Sequence, residues 1–131
     1  EIQAAVDIFR ENNCPFTLLH CVSTYPCRDE DCNISGMLTL KNTFNCDVGY
    51  SGHERGHLPT IIASSLGATA IERHITLDRS MYGSDQSASL EPNELAQLTS
   101  AINSIEGILG TGEKIVSDAE LSVAKKLRYW M

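Results

Sequence analysis

The sequence predicts an α/β fold built on a parallel sheet, and three observations carry that expectation. Short apolar runs with β-branched residues alternate with segments of helical period. The first of these runs, FTLLHCV at 16–22, is almost continuously apolar, as suits a strand covered on both faces. The order is one helix, then strand–loop–helix three times, then a further helix, and such alternation calls for helical crossovers between parallel strands.

Residues 2–12 place Ile2, Val6 and Phe9 at helical spacing, and NNCP ends that helix. After the strand at 16–22 comes a polar loop, TYPCRDEDCN, and then a weakly helical stretch at 34–44 with Met37, Leu38 and Leu40 on its packing side. CDVGY at 46–50 reads as a second strand. LPTIIASSLG at 58–67 reads as a helix, with Pro59 suited to its first turn and Gly67 to its stop. TAIERHIT at 69–76 is the third strand. A long loop leads to an amphipathic helix from Pro92, whose stripe is Leu95, Leu98, Ile102, Ile105 and Leu109. GTGEKIVS breaks it, and SDAE at 117–120 has capping-box form and opens a last helix.

Three such units in about 95 residues match the roughly 30 residues per unit of a TIM (β/α)₈ barrel. They supply only about three of its eight units, so the strand edges call for further strands or a partner. A small doubly wound sheet is the other architecture this alternation allows, but no glycine-rich phosphate fingerprint follows any strand. The chain opens within a helix and without an initiator methionine, so we expect a piece of a longer barrel domain spanning 1–131.

The bulk numbers narrow the function classes. Hydrophobic content of 42% and charged content of 21% are globular values. A net charge of −7 without a basic patch argues against nucleic acid as partner. The small cationic group KKLR suits the solvated end of a helix. No apolar run reaches the roughly 20 residues of a membrane span. Cysteines 14, 21, 27, 32 and 46 are odd in number and lack a secretory signal, so reduced cytoplasmic thiols are expected. Cys27 and Cys32 sit at the loose edge of zinc-ligand spacing without a second pair, and Cys21 reads as a small buried hydrophobe.

In a parallel sheet, chemistry collects beyond the carboxyl ends of the strands. Ser23 and Tyr25 follow the first strand, Ser51 and His53 the second, and His74 and then Asp85 the third. Histidines on neighbouring strand ends, about 4.8 Å apart, can share a divalent cation, with zinc, manganese or iron favoured over calcium. Packing or a hydrogen-bonded surface residue is the alternative for each. Serine hydroxyls beside a helix start suit phosphate. His57 reads as surface, His20 as a core or supporting residue, and at least one of Glu72 and Arg73 as facing the barrel interior, where a charge needs a partner.

LLHCVSTYP, VGYSGHE, GATAIERHITLDR, YGSDQSASLEP and EKIVSDAE occur in the order found in the sialic acid synthase (N-acetylneuraminate synthase) family. The chain resembles that family from residue 16 to about 125. The resemblance implies strands six to eight of a TIM barrel that condenses phosphoenolpyruvate with an open-chain N-acylated amino sugar. It implies His53 and His74 as ligands of Mn²⁺ or Mg²⁺, Ser23 and Ser51 at the phosphate, and Tyr25 and Asp85 facing the sugar. It further implies a cytoplasmic enzyme, a homodimer or larger when full length, with phosphate-binding lysines and a C-terminal antifreeze-like domain expected outside these 131 residues. The sequence departs from the family pattern at three places. Relatives read S-D-H where Ser51-Gly52-His53 stands, so a supporting acidic group is expected to be missing. Ser23 stands where others have asparagine, and YGSDQ replaces PGPDH. A legionaminic, pseudaminic or neuraminic acid synthase each fits this pattern. A non-catalytic half-barrel that binds sugars or assembles with a partner is the alternative of a different class, and a zinc-stabilised module the third.

Overall fold

The computed structural model describes residues 1–127, and its elements follow the expected order. They are α1 (Ile2–Glu11), β1 (Leu18–Cys21), α2 (Ser35–Phe44), β2 (Val48–Gly52), α3 (Leu58–Ser65), β3 (Ile71–Arg73), α4 (Pro92–Leu109) and α5 (Asp118–Leu127). The strands lie in the order β1-β2-β3, all parallel, with Leu18 opposite Val48 and Gly52 opposite Arg73.

β1 and β3 are shorter than their apolar runs, and β2 is shifted two residues onward, to Val48–Gly52. Beyond Arg73 the chain leaves the ladder and pairs with the far end of its own loop: the Leu90 amide donates to the His74 carbonyl at 2.8 Å, and the Thr76 amide to Leu90 at 2.9 Å. His74 therefore lies just past β3 rather than within it.

Side chains alternate across a strand, and the helices cover one face only. On that face α2 and α3 enclose Met37, Val48, Tyr50 and Ala63, with Leu18, Leu38, Leu40 and Ile71 packed around them. Its glycine, Gly36, lets α2 approach β1 so closely that an added Cβ would lie 2.9 Å from the His20 ring. His20 reaches on to the Cys32 carbonyl at 2.9 Å and stacks on Tyr50, the supporting role expected of it.

The opposite face carries Leu19, Cys21 and Glu72, all exposed. The expectation that β1 is covered on both sides, with Cys21 a buried hydrophobe, is therefore corrected: no second layer covers this face among the described residues.

The helix ends follow local rules. Pro59 lies in the first turn of α3, and Gly67 leaves it at φ +90°. His57 at the start of α3 is half-buried rather than on the surface, with a buried, unpartnered Nε2. Ser117 and Glu120 cap α5 reciprocally, as the SDAE pattern foresaw. Lys125 and Lys126 occupy its last turn, while the arginine of KKLR lies outside the described residues. In α4 Leu98 is buried, Ile102 and Ile105 are half-buried, and Leu95 and Leu109 remain exposed. No helix among the described residues is long and apolar enough to cross a membrane.

Helix α4 begins with a capping box in which Glu91 and Glu94 satisfy each other's backbone amides. Arg79, reaching in from the loop, donates to the Glu94 carboxylate. That hydrogen bond holds the Glu94 carboxyl below its ordinary value of 4.5. A depressed carboxylate contributes stability that is complete above the unfolded value and is lost as pH falls through the folded one. We expect unfolding in urea to become easier below about pH 4.5, and Glu94→Gln to flatten that part of the profile.

Candidate functional site

The alternation that sends Val48 and Tyr50 toward the helices sends Ser51 the other way, in register with Cys21 and Glu72. One residue beyond the ladder His53 and His74 come together, and the loop after β1 brings Tyr25 to them. The His53 and His74 ring centres lie 5.1 Å apart, and Tyr25 leans over both at 4.1 and 5.8 Å. His53 is buried, and its Nδ1 lies 2.9 Å from the Val22 carbonyl. A carbonyl only accepts, so the Nδ1 proton donates to it and the Nε2 lone pair is left for a ligand.

That tautomer is the one in which a histidine coordinates through Nε2 while a carbonyl orients its ring. Two imidazoles at this spacing fit a divalent transition metal that takes its remaining donors from oxygen. No group of three or more His, Cys, Asp or Glu able to hold a metal occurs among the described residues. Two imidazoles alone do not fill the coordination shell of such a metal.

The other predicted residues are placed less tightly. The Ser51 hydroxyl donates to the Glu72 carboxylate at 2.7 Å, a commitment invisible in the sequence. Ser23 is exposed, its hydroxyl 3.8 Å from the Cys21 sulfur. Asp85 approaches His74 Nδ1 at 3.8 Å, too long for a hydrogen bond. A cleft of about 250 Å³ lies there, lined by His74, Gly83, Ser84, Asp85, Gln86 and Ser89. The wider apolar groove between α3 and α4 lies away from both histidines, along Ala68, Ile71, Ile102 and Leu109.

Behind the histidines is a buried polar cluster that the sequence only hinted at. Glu54 Oε1 accepts from Thr60 at 2.6 Å and from Arg73 Nη1 at 2.9 Å, and Oε2 accepts from Tyr50 at 3.0 Å. The Glu54 and Arg73 side chains are 0% and 2% exposed, so this pair is inside the protein. Burial lowers the Arg73 pKa, an effect that the Glu54 charge opposes, and burial drives the Tyr50 phenol well above its usual range. Arg73 thus turns to the helix-covered face and pairs with Glu54, whereas Glu72, on the opposite face, accepts the Ser51 hydroxyl.

Gly52 makes room for this cluster. A Cβ there would stand 2.6 Å from Glu54 Oε2, 2.8 Å from the Tyr50 ring and 3.0 Å from Arg73 Cδ. The expectation that an acidic group is missing beside Gly52 is corrected: the Glu54 carboxylate occupies that space. Overpacking a filled interior costs about 1–3 kcal/mol, so Gly52→Ala should lower the melting temperature clearly. Gly56→Ala, whose Cβ meets nothing within 4 Å, serves as the control.

The cysteines belong to no group of three metal-binding side chains among the described residues. Cys27 and Cys32 are buried with their sulfurs 3.7 Å apart, and burial pushes the Cys32 thiol up to about 11. Cys32 is therefore a neutral thiol at ordinary pH, and the two sulfurs have no third metal-binding side chain beside them among the described residues. All five cysteines are free.

Comparison with known proteins bears on this arrangement. The NeuB family model matches residues 1–114. The chain is 42% identical to the N,N'-diacetyllegionaminic acid synthase of Campylobacter jejuni over 123 residues, which is 92% of this chain and 37% of that protein. It is 41% identical to the N-acetylneuraminate-9-phosphate synthase of Mus musculus, over 92% of this chain and 34% of that one. A crystal structure of the N-acetylneuraminic acid synthetase of Leptospira borgpetersenii, in complex with citrate, superposes with a TM-score of 0.80 at 40% identity, covering 98% of this chain and 46% of that chain. The chain spans just over a third of the length of these curated relatives.

Proposed function

The chain belongs to the NeuB family, and from that premise we propose that it carries the metal- and substrate-binding rim of a nonulosonic acid synthase. In this reading β1, β2 and β3 are consecutive strands of a (β/α)₈ barrel, and the face with Leu19, Cys21 and Glu72 lines its interior. The reaction is condensation of phosphoenolpyruvate with the open-chain form of an N-acylated amino sugar, with release of phosphate. The observation that carries the proposal is the convergence of His53, His74 and Tyr25 beyond the carboxyl ends of adjacent parallel strands.

His53, through Nε2, and His74 would hold one Mn²⁺ or Mg²⁺ ion. A cation held there polarises the sugar aldehyde as a Lewis acid. The enol carbon of phosphoenolpyruvate then forms a bond to the aldehyde carbon, water adds to the resulting cationic centre, and phosphate departs. Ser51 and Ser23 hold the phosphate; to do so the Ser51 hydroxyl must turn from Glu72, whose negative charge opposes an anion there. Tyr25 forms one wall of the sugar position and Asp85, across His74, the other. The names of the relatives support an N-acylated amino sugar as the class, with neuraminic, legionaminic and pseudaminic precursors all within it. The full enzyme acts in the cytoplasm as a homodimer or larger assembly, without nucleic-acid or membrane partners.

The full-length protein should release inorganic phosphate from phosphoenolpyruvate only when sugar and Mn²⁺ or Mg²⁺ are both present. Chelation should abolish release and added metal restore it. Sugar binding with metal supplied and no phosphate release would instead favour the non-catalytic half-barrel.

A further inference from the structure

We propose that the buried Glu54–Arg73 pair is a positioning device that sets the separation of His53 and His74 from the opposite side of the sheet. The inference rests on the reading of those histidines as metal ligands. Glu54 directly follows His53, and Arg73 directly precedes His74. The β2–β3 ladder ends at Gly52 and Arg73, so both histidines lie one residue beyond the last backbone pairing. Something other than the ladder must set their spacing.

Arg73 spans that gap. One of its nitrogens reaches Glu54 Oε1 at 2.9 Å, Thr60 Oγ1 at 2.9 Å and the Gly56 carbonyl at 3.0 Å, while the other donates to the Glu54 carbonyl. It thereby grips the backbone leaving His53 as well as the Glu54 side chain. The remaining side of this segment is tied to the first loop, where the Cys27 amide donates to the His53 carbonyl at 2.8 Å. The planar guanidinium fork can hold several acceptors at fixed angles, whereas a lysine presents a single ammonium group.

Energetics favour a geometric role. A buried ion pair is often no more stabilising than apolar side chains of similar volume. A pair whose purpose was stability alone could therefore be replaced by such side chains with no other effect. A positioning pair could not, because leucine and methionine lack the directional bonds to Glu54, Gly56 and Thr60.

The test uses the full-length protein as wild type, Glu54→Leu/Arg73→Met, Arg73→Lys and His53→Ala. Mn²⁺ affinity is read from the electron paramagnetic resonance signal of free Mn²⁺, well below each melting temperature. The double variant should stay folded and bind Mn²⁺ about 10–100-fold more weakly, the scale of losing groups that orient a metal ligand. Arg73→Lys should shift in the same direction, and it decides the matter if the double variant does not fold. Folded variants with Mn²⁺ affinity within about twofold of wild type would overturn the proposal, since lower stability alone leaves affinity unmoved. Mn²⁺ binding unaffected by His53→Ala would overturn the metal-ligand reading and this inference together.

Discussion

His53→Ala and His74→Ala, each in the full-length protein, are expected to reduce metal-dependent phosphate release by about a thousandfold. Lewis-acid polarisation supplies several kcal/mol, and each ~1.4 kcal/mol is a factor of ten in rate. A site with two protein ligands loses half of its protein donors with either change. On the proposed metal site the losses should be far from additive in the double variant, because both imidazoles would serve one ion. Excess Mn²⁺ should recover part of the rate if the defect is in metal affinity. His57→Ala is the matched control: this imidazole sits at the start of α3, outside the ring cluster, and its loss should leave turnover within a few-fold. Full turnover in both His53→Ala and His74→Ala would refute the assignment.

The largest effect on stability is expected from Glu54→Ala. It strands the Arg73 guanidinium in an interior where its side chain is 2% exposed. It also removes the acceptor of the Tyr50 and Thr60 hydroxyls. Breaking one partner of a buried pair costs about 3–5 kcal/mol, a large share of a domain's total stability. Urea unfolding should show the midpoint falling accordingly. Glu54→Leu/Arg73→Met should cost markedly less than Glu54→Ala, because no charge is then left alone. Equal losses in the two variants would show that stranding the Arg73 charge adds nothing to the cost.

The rim was legible because residues that follow parallel strands gather at one end of the sheet. Tyr25, His53 and His74 were singled out on that ground, and the structure brings their rings together. Helix α3 was legible from Pro59 and Gly67, and α5 from its Ser117 and Glu120 pattern. The strand limits were not. Whether the residues after Arg73 pair with β2 or with Leu90 depends on where a distant loop returns.

The largest misreading lay at Gly52, and its cause is instructive. From motif alone, a glycine in place of aspartate reads as a lost carboxylate. In space the carboxylate is present, supplied by Glu54 from two residues later on the same face of the chain. His57 and Cys21 failed for the same reason in opposite directions: burial is a property of what arrives from elsewhere in the chain. His57 became half-buried, and Cys21 was left uncovered.

The sequence by itself determined the order of elements, the parallel sense of the sheet and the end of the sheet at which the histidines fall. These follow from local periodicity and from the chirality of crossovers, which nearby residues decide. Only the tertiary structure decided that Glu54 pairs with Arg73, that Ser51 is bound to Glu72, and that Val22 selects the tautomer of His53. Those contacts join residues 19, 21 and 31 positions apart. Directional polar bonds of that kind require distances set to a few tenths of an ångström, which only the packed chain provides.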